Sequence, residues 1–579
     1  MALLLFIVLW VTIRALAARD ELVATVPAAR AVASAALSGN TASMTSSMAD
    51  LQQHSDAAAS LTSDPIWRMA EVLPIVGDNL TAFRQAAAMV DELADTALPP
   101  LQELATTVTI DSLSPVDGRY DLASFAAARP LLSKATHALN VATQRASEID
   151  TSDTIEQIGT GIDQLVDTVN LAKTVVGGLD TAAAVIPDMM GADAPRSYLL
   201  MSLNSSELRA GGGTPGSLAV LTADRGSITV SWETVESALG TLDSPVLPLT
   251  EAEHTLYGDS LGTSMRNVTQ TPEFSRTAEL AAALWKQHSG VAVDGVISVD
   301  PVALSYLLSA TGPLTVDGVY LSDRNAPSIL LSDAYSRFLT PARQEKFVSS
   351  VTSQVFEALT DGTANPNRLL GAISRGVNEK RIHVWSADAG EEAQLASTPI
   401  AGNVTAAPAG ATGRPAEFGL YLNDATGANM GFYLRSDIDI SSAVCRTDRQ
   451  PQFDVTAALT STAPVDAGVL LPASVTGGGH NGVSAGNIKT NVFIYAPDGA
   501  TAYAVSVDGV DRAFTTAQQD GHSVVGVAVE VAPQQTDTVT VRFLAPRGTS
   551  TAVHLTHTPM AAEVTSSLGG FLDCAEAAR

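Results

Sequence analysis

The chain has 579 residues and a formal net charge of -28, from 33 Lys and Arg against 61 Asp and Glu. A balance this acidic repels phosphate backbones and excludes nucleic-acid binding, and 46% apolar against 16% charged residues excludes a disordered chain. The length exceeds what one hydrophobic core serves, so several folding units are expected, and two cysteines, Cys445 and Cys574, are too few for a zinc finger or an iron-sulfur site.

Residues 2–13 (ALLLFIVLWVTI) form an almost unbroken apolar run, which extends to Ala18 if Arg14 snorkels toward lipid headgroups. Residues 1–19 are therefore read as a membrane anchor. A cleaved signal peptide competes, because Ala15-Leu16-Ala17 resembles a small-residue cleavage site. Arg14 and Arg19 follow the run and no basic residue precedes it, which taken literally puts the bulk inside. The expectation is that a basic cytoplasmic segment precedes Met1 in the natural chain. The protein is then single-pass in the cell membrane, with its bulk extracytoplasmic.

Residues 20–190 are alanine-rich, poor in aromatics and helical in pattern, with breaks expected at Asp64-Pro65, Pro99-Pro100 and Ser114-Pro115. Asp64-Pro65-Ile66-Trp67 reads as a capped helix start with a packing Trp. After a cap-like Ser152-Asp153, the residues Ile155, Ile158, Ile162, Leu165, Val169, Ala172, Val176 and Leu179 alternate in threes and fours, the seam of a coiled coil or helical hairpin. Gly177-Gly178 weakens its last turns. The segment is expected to serve as a stalk or bundle, with no chemical role.

Residues 191–434 are expected to form an α/β head. Residues 198–203 and 217–223 have the length and apolarity of buried strands, and between them lies a charged glycine-rich turn, NSSELRAGGGTPG. Three consecutive glycines, Gly211, Gly212 and Gly213, let backbone approach a ligand closely, with Glu207 and Arg209 beside the opening. The turn is neither a P-loop nor a dinucleotide fingerprint, because a strand follows it and no Gly-Lys-Ser/Thr is present. Further on, residues 294–300 read as a strand, Pro301 starts a helix over 302–310, and residues 314–321 return as strand with a turn at Asp317-Gly318. Helices follow over 326–338, 341–359 and 367–377. Alternating strands and helices predict a mixed sheet.

The segments YLLMSLNSSELRAGGGTPGS, VAVDGVISVDPVALSYLLSATGPLTV and FGLYLNDATGANMGFYL resemble an actinobacterial family of domains of unknown function, number four thousand and twelve, over about residues 196–435. The resemblance implies a membrane-anchored envelope protein encoded near polysaccharide-assembly genes. This chain has Thr214-Pro215 where that family has a bulkier apolar pair. More distantly, residues 199–221 are similar to the LytR-CpsA-Psr phosphotransferases, which attach lipid-pyrophosphate-linked glycopolymers to peptidoglycan. That similarity implies a phosphate site formed by Arg209, Arg337 and Arg343, with the N–H groups of Gly211, Gly212 and Gly213 as an anion nest. Asp294 or Asp300 would hold a divalent cation such as Mg, the one cofactor expected. Where those enzymes carry Pro-Arg-Asp, this chain has Ser231-Trp232-Glu233, which leaves no catalytic residue to assign.

The alternative to a ligand site is that Glu207 and Arg209 pair with each other and that Arg337 and Arg343 are solvated. His554 and His557 lie three apart in a probable strand and face opposite sides, His383 is expected to pack, and His480 belongs to a loop. Residues 401–415 read as a linker. From 435 to 579, alternating runs at 453–459, 490–495, 503–507, 524–531, 539–543 and 553–556 predict a β-sandwich. A disulfide between Cys445 and Cys574 would tie its end to its start. Two functions follow as expectations: a head that binds a polyprenyl-pyrophosphate-linked glycopolymer and transfers it to the cell wall, or a non-enzymatic adaptor or scaffold in surface-polysaccharide assembly that contacts other envelope proteins.

Overall fold

A computed structural model describes residues 2–37, 40–74, 76–108, 114–338, 340–404, 415–480 and 482–571. The chain divides into two compact units, Met1–Pro195 with Asp224–Ser227, and Arg196–Ala223 with Ile228–Arg579.

The first unit is helical. It comprises α1 (Ala2–Leu37), α2 (Thr41–Thr62), α3 (Pro65–Ala70), α4 (Gly77–Thr107), α5 (Leu122–Ser147) and α6 (Glu156–Met189). α1 packs on α2, α2 on α4, α4 on α5 and α5 on α6. Buried Ala86, Ala87, Ala94, Ala138 and Ala142 let these helices approach closely, which is what the alanine-rich composition serves. The start of α3 follows the sequence: Asp64 caps it by accepting from the backbone N of Ile66 and Trp67, Pro65 takes the first position, and Trp67 is buried with its Nε1 donating to Leu80 O.

Other expectations for this unit need correction. α1 runs from the apolar stretch through Arg19 to Leu37 without a break. Arg14 does not snorkel: it pairs with Asp64 at 2.8 Å, donates to the carbonyls of Ser60 and Leu61, and lies over the Trp10 ring. Pro99-Pro100 does not break the chain but sits inside α4, with Pro100 buried, because packing of the surrounding apolar face outweighs two missing backbone donors. Ser114-Pro115 does fall outside helix.

α6 carries the three-four seam, and Ile162 and Val169 are buried while Ile155 and Leu179 are exposed, so the seam packs through its middle. Gly177-Gly178 lies within α6, which continues to Met189. Its cap is not Ser152-Asp153 but Ile155, whose backbone N donates to Asn79 Oδ1 at 2.8 Å. By length and composition α6 is also apolar enough to cross a membrane.

The second unit holds strands and helices. β1 (Arg196–Asn204), β2 (Thr214–Asp224), β3 (Ser227–Val235), β4 (Gly295–Val299), β5 (Leu314–Val316), β6 (Val319–Leu321) and β7 (Ile382–Ser386) occupy its first half. β3-β2-β1-β4-β7 make a mixed sheet in that order, with β1 antiparallel to β2 and parallel to β4, and β5 and β6 form a separate hairpin. The side chains of residues 231–233 lie outside the described set. Helices Phe274–Ser289, Pro301–Thr311, Pro341–Thr360 and Pro366–Asn378 accompany the sheet. The helix expected over 326–338 is present as one continuous helical stretch, Ala326–Ser328, Ile329–Asp333 and Ala334–Arg337, with the middle segment wound as a π-helix.

The second half is strand-rich: β8 (Ala416–Asp424), β9 (Leu434–Ala443), β10 (Gln452–Ser461), β11 (Ile488–Ala496), β12 (Thr501–Val507), β13 (Val510–Asp511), β14 (Thr515–Gln519), β15 (His522–Val531), β16 (Thr536–Leu544), β17 (Val553–His557) and β18 (Thr565–Phe571). They form two sheets, β13-β12-β16-β10-β9-β18 and β14-β15-β11-β8-β17. Both contribute to one core, with Phe418 and Ile494 from one sheet and Phe453, Val541 and Phe543 from the other. β8 lies in the second of these sheets, so the FGLYLND segment read as part of the head is built into the C-terminal strands.

Residues 405–414, most of the expected linker, lie outside the described residues, as does Cys574. Cys445 follows β9 instead of preceding the first strand, and it is not a free thiol.

The Asn79 contact yields the first prediction. Asn79→Ala removes the side-chain acceptor of the Ile155 amide and should cost about 1 kcal/mol locally. Hydrogen exchange should show faster exchange confined to the first turn of α6; unchanged protection there would refute the cap.

Candidate functional site

The loop joining β1 to β2 was expected to open toward a ligand. It is buried instead: Ser205, Ser206, Glu207, Leu208, Arg209 and Ala210 are each at most 4% exposed. β1 ends in an Asn204 whose Oδ1 accepts from Ser206 N and whose Nδ2 donates to Tyr335 and Asn429. This turns the chain inward at once. Segments from three parts of the unit then close over it. Gly431 N donates to Ser206 O, Asp424 N to Leu208 O, and Ala210 N to Asn423 Oδ1. Ser206 Oγ donates to Leu331 O, and Thr269 Oγ1 to Gly213 O.

Glu207 is the centre of this arrangement. Its carboxylate accepts from Arg209 at 2.7 Å and from Arg266, and Arg266 goes on to Glu236 at 3.0 Å. Arg209, Glu207, Arg266 and Glu236 thus alternate in sign from the buried Arg209 to the 39% exposed Arg266 side chain. Burial pushes the Glu207 carboxyl up, while Arg209 and Arg266 pull it back. Glu345 is pushed up by its burial and by Glu236, again opposed by Arg266.

The residues expected to bind phosphate differ in burial and in how far they are already bonded. Of the five guanidinium donors of Arg209, four are used, on Leu208 O, Asp424 O, Glu207 and Asn267, and Nε is buried without a partner. Gly211 N donates to Thr269 O and Gly212 N to Arg209 O, so neither forms an anion nest. The glycines serve close packing: a Cβ on Gly213 would stand 2.4 Å from Asn204 O, and one on Gly212 would stand 3.0 Å from Pro559. Arg337 and Arg343 are exposed, at the end of the Ala334–Arg337 turn and in the first turn of Pro341–Thr360, and neither makes an ion pair among the described residues.

The two aspartates are structural. Asp294 accepts from Ser197 N and Oγ and lies 3.5 Å from Arg196. Asp300 caps the Pro301–Thr311 helix through Ala303 N and pairs with Arg381 at 2.6 Å. They flank opposite ends of β4, roughly 20 Å apart at strand rise, so each would have to hold a cation separately, with oxygens that already accept from Ser197 or pair with Arg381. No group of three or more His, Cys, Asp or Glu able to hold a metal occurs among the described residues.

Other titratable groups are accounted for by packing or pairing. His383 is fully buried, stacks on Phe274 and sits 3.2 Å from Ser298 Oγ, and burial pushes it down to about 3. His554 pairs with Glu417, and His557 with Thr558 O. Arg381 donates to Asp300, Glu379 and Met560 O, tying β7 to the chain after β17.

Sequence reading missed Arg266, Glu236, Asn423, Asp424, Asn429 and Tyr335. For Asn423, Asp424 and Asn429 the signal lay in the LNDATGAN segment, whose Asn and Asp cluster has the look of an ordinary turn until the loop docks on it; Arg266, Glu236 and Tyr335 carry no local signal.

Fold and site together define a helical unit, with one helix long and apolar enough to cross a membrane, and a mixed α/β and β unit whose glycine loop is an internal clasp. Residues 193–335 match the model of a family described as a protein of unknown function, DUF4012. The match confirms the resemblance read from YLLMSLNSSELRAGGGTPGS and VAVDGVISVDPVALSYLLSATGPLTV, and it stops before FGLYLNDATGANMGFYL. No curated protein matches the chain.

Two predictions follow. Glu207→Ala leaves Arg209 buried without its counter-charge, and breaking such a pair costs about 3–5 kcal/mol; a denaturation midpoint unchanged from wild type would show that the cluster does not hold the unit together. The second concerns Glu273, 2.5 Å from Val404 N, which burial pushes up to about 8. Its folded value lies above the ordinary 4.5, so the native state holds a proton the unfolded chain lacks between these values. This contribution is full below pH 4.5 and is lost as pH rises through 8. Glu273→Gln should flatten that slope in thermal melts taken across the window; an unaltered slope would assign it elsewhere.

Proposed function

We propose that the protein is a membrane-anchored, extracytoplasmic cell-envelope protein whose second unit works as a non-enzymatic scaffold in surface-polysaccharide assembly. The observation that carries this reading is the commitment of the glycine loop: its charges are compensated inside the fold and its amides at 211 and 212 bond to carbonyls. A phosphate at Arg209 would have to displace four internal hydrogen bonds. The envelope location rests on the apolar run at the start of α1, where Leu9, Ile13 and Leu16 are exposed, and on the family resemblance.

The two C-terminal sheets are read as a β-sandwich, a module suited to contacts with other envelope proteins, with Cys445 and Cys574 as its disulfide. A LytR-CpsA-Psr-like head that binds a pyrophosphate-linked glycopolymer is the second reading. It is favoured by Arg337 and Arg343, two exposed arginines six residues apart in an acidic chain and without an ion pair among the described residues.

Titration of the full chain in detergent with undecaprenyl pyrophosphate separates the two. The scaffold reading expects no saturable binding and no effect of Arg337→Ala with Arg343→Ala. Saturable binding weakened by that double substitution would replace the scaffold with the ligand-binding head.

A further inference from the structure

A groove of about 530 Å³ opens at the end of the Pro301–Thr311 helix, lined by Ser309, Pro313, Tyr320, Ser322, Asp323 and Arg368 among others. It shares no residue with the Glu207 cluster. Its volume is that of a small-molecule site, and its open mouth suits one or two units of a longer chain.

Three features of the lining select the ligand. Tyr320 on β6 is 58% exposed, a large ring held in water by a strand whose neighbours Val319 and Leu321 are buried. Asp323 and Arg368 are both exposed and bring one charge of each sign, so the groove has no net charge of its own. The turn that carries the ring and the carboxylate is fixed beforehand. Asn325 Nδ2 donates to Tyr320 O, and Asn325 Oδ1 accepts from Ser322 N and Oγ. On the facing side, Arg368 donates from Nη1 to Ser309 O at 3.4 Å, and its remaining side-chain donors have no partner among the described residues.

An anionic ligand would be opposed by Asp323. A purely apolar one would cover Asp323 and Arg368 without giving either a partner, at a cost of several kcal/mol for stranded charge. A neutral sugar satisfies all three features: its C–H face lies on the tyrosine ring, its hydroxyls donate to Asp323, and its oxygens accept from Arg368. We infer that this groove binds a neutral saccharide unit, with Tyr320 as the stacking platform and Asp323 and Arg368 as the hydrogen-bonding arms. The inference deepens the scaffold reading, since it names the sugars of the polymer as what the second unit contacts.

The test uses the full chain in detergent on an array of neutral hexose and pentose oligosaccharides, with charged glycans included. Binding to at least one neutral oligosaccharide is expected, weakened at least ~tenfold by Tyr320→Ala, as for an aromatic hot spot, and kept by Tyr320→Phe. Asp323→Asn should weaken it less. Because these side chains are exposed, the variants should melt with wild type, which a thermal scan checks. Absence of neutral-glycan binding, binding indifferent to Tyr320→Ala, or capture of acidic glycans alone would each overturn the inference. The scaffold reading is judged separately by the pyrophosphate titration, so failure of one leaves the other standing.

Discussion

The second unit depends on a buried carboxylate held between two arginines. Glu207 is 1% exposed, and an ionised group so placed persists only where its charge is matched and its oxygens are bonded. Arg209 comes from the same loop and Arg266 from the Met265–Gln270 turn, so satisfying the carboxylate fixes the loop against that turn. The backbone of the loop then meets β8 and the turn after it, through Asp424 N, Asn423 Oδ1 and Gly431 N. Each of these contacts needs the others, because a loop that moved outward would leave Arg209 or Glu207 buried alone.

A second clasp works on the same principle at the same end of the sheet, just past the C-terminal end of β4. Arg381 binds Asp300, Glu379 and Met560 O, so the capped start of Pro301–Thr311, the strand β7 and the chain after β17 meet at one guanidinium. The mixed sheet and the C-terminal strands are therefore joined by polar networks as well as by the apolar side chains of Tyr421, Phe493 and Tyr495, which pack with the residues of β1 and Phe274–Ser289. Aromatic contacts of this kind supply area; the buried charges fix the register, since a shifted pairing would strand them.

Much of the fold was legible because its elements announce themselves locally. The apolar runs of β1, β2 and β4, the Asp300-Pro301 helix start and the alternating strands from β10 onward have short-range signatures. The failures share one cause. Pro99-Pro100, the cap of α6 and the fate of the glycine loop are decided by distant residues: a packed helix face, Asn79, and the Asn423 to Gly431 segment. A run of glycines beside charge has the same local sequence whether ligand or protein fills the space against it. The Cβ positions of Gly212 and Gly213 are taken by Pro559 and Asn204, one of them more than three hundred residues away in the chain.

That substitution of protein for ligand changes where recognition can occur. A loop most of whose polar groups are consumed internally has little to offer a phosphate without losing its own bonds, so differential binding there starts at a deficit of several hydrogen bonds. Groups able to bind are those held in place without being used up. Tyr320 and Asp323 meet that condition, because Asn325 fixes their backbone while leaving ring and carboxylate in water, and Arg368 meets it in part. Preorganised backbone with unspent side chains is the arrangement that favours a weak, sugar-sized contact, and repetition along a polymer multiplies such a contact into useful avidity. In this molecule the buried charges build the platform, and the exposed turn does the recognising.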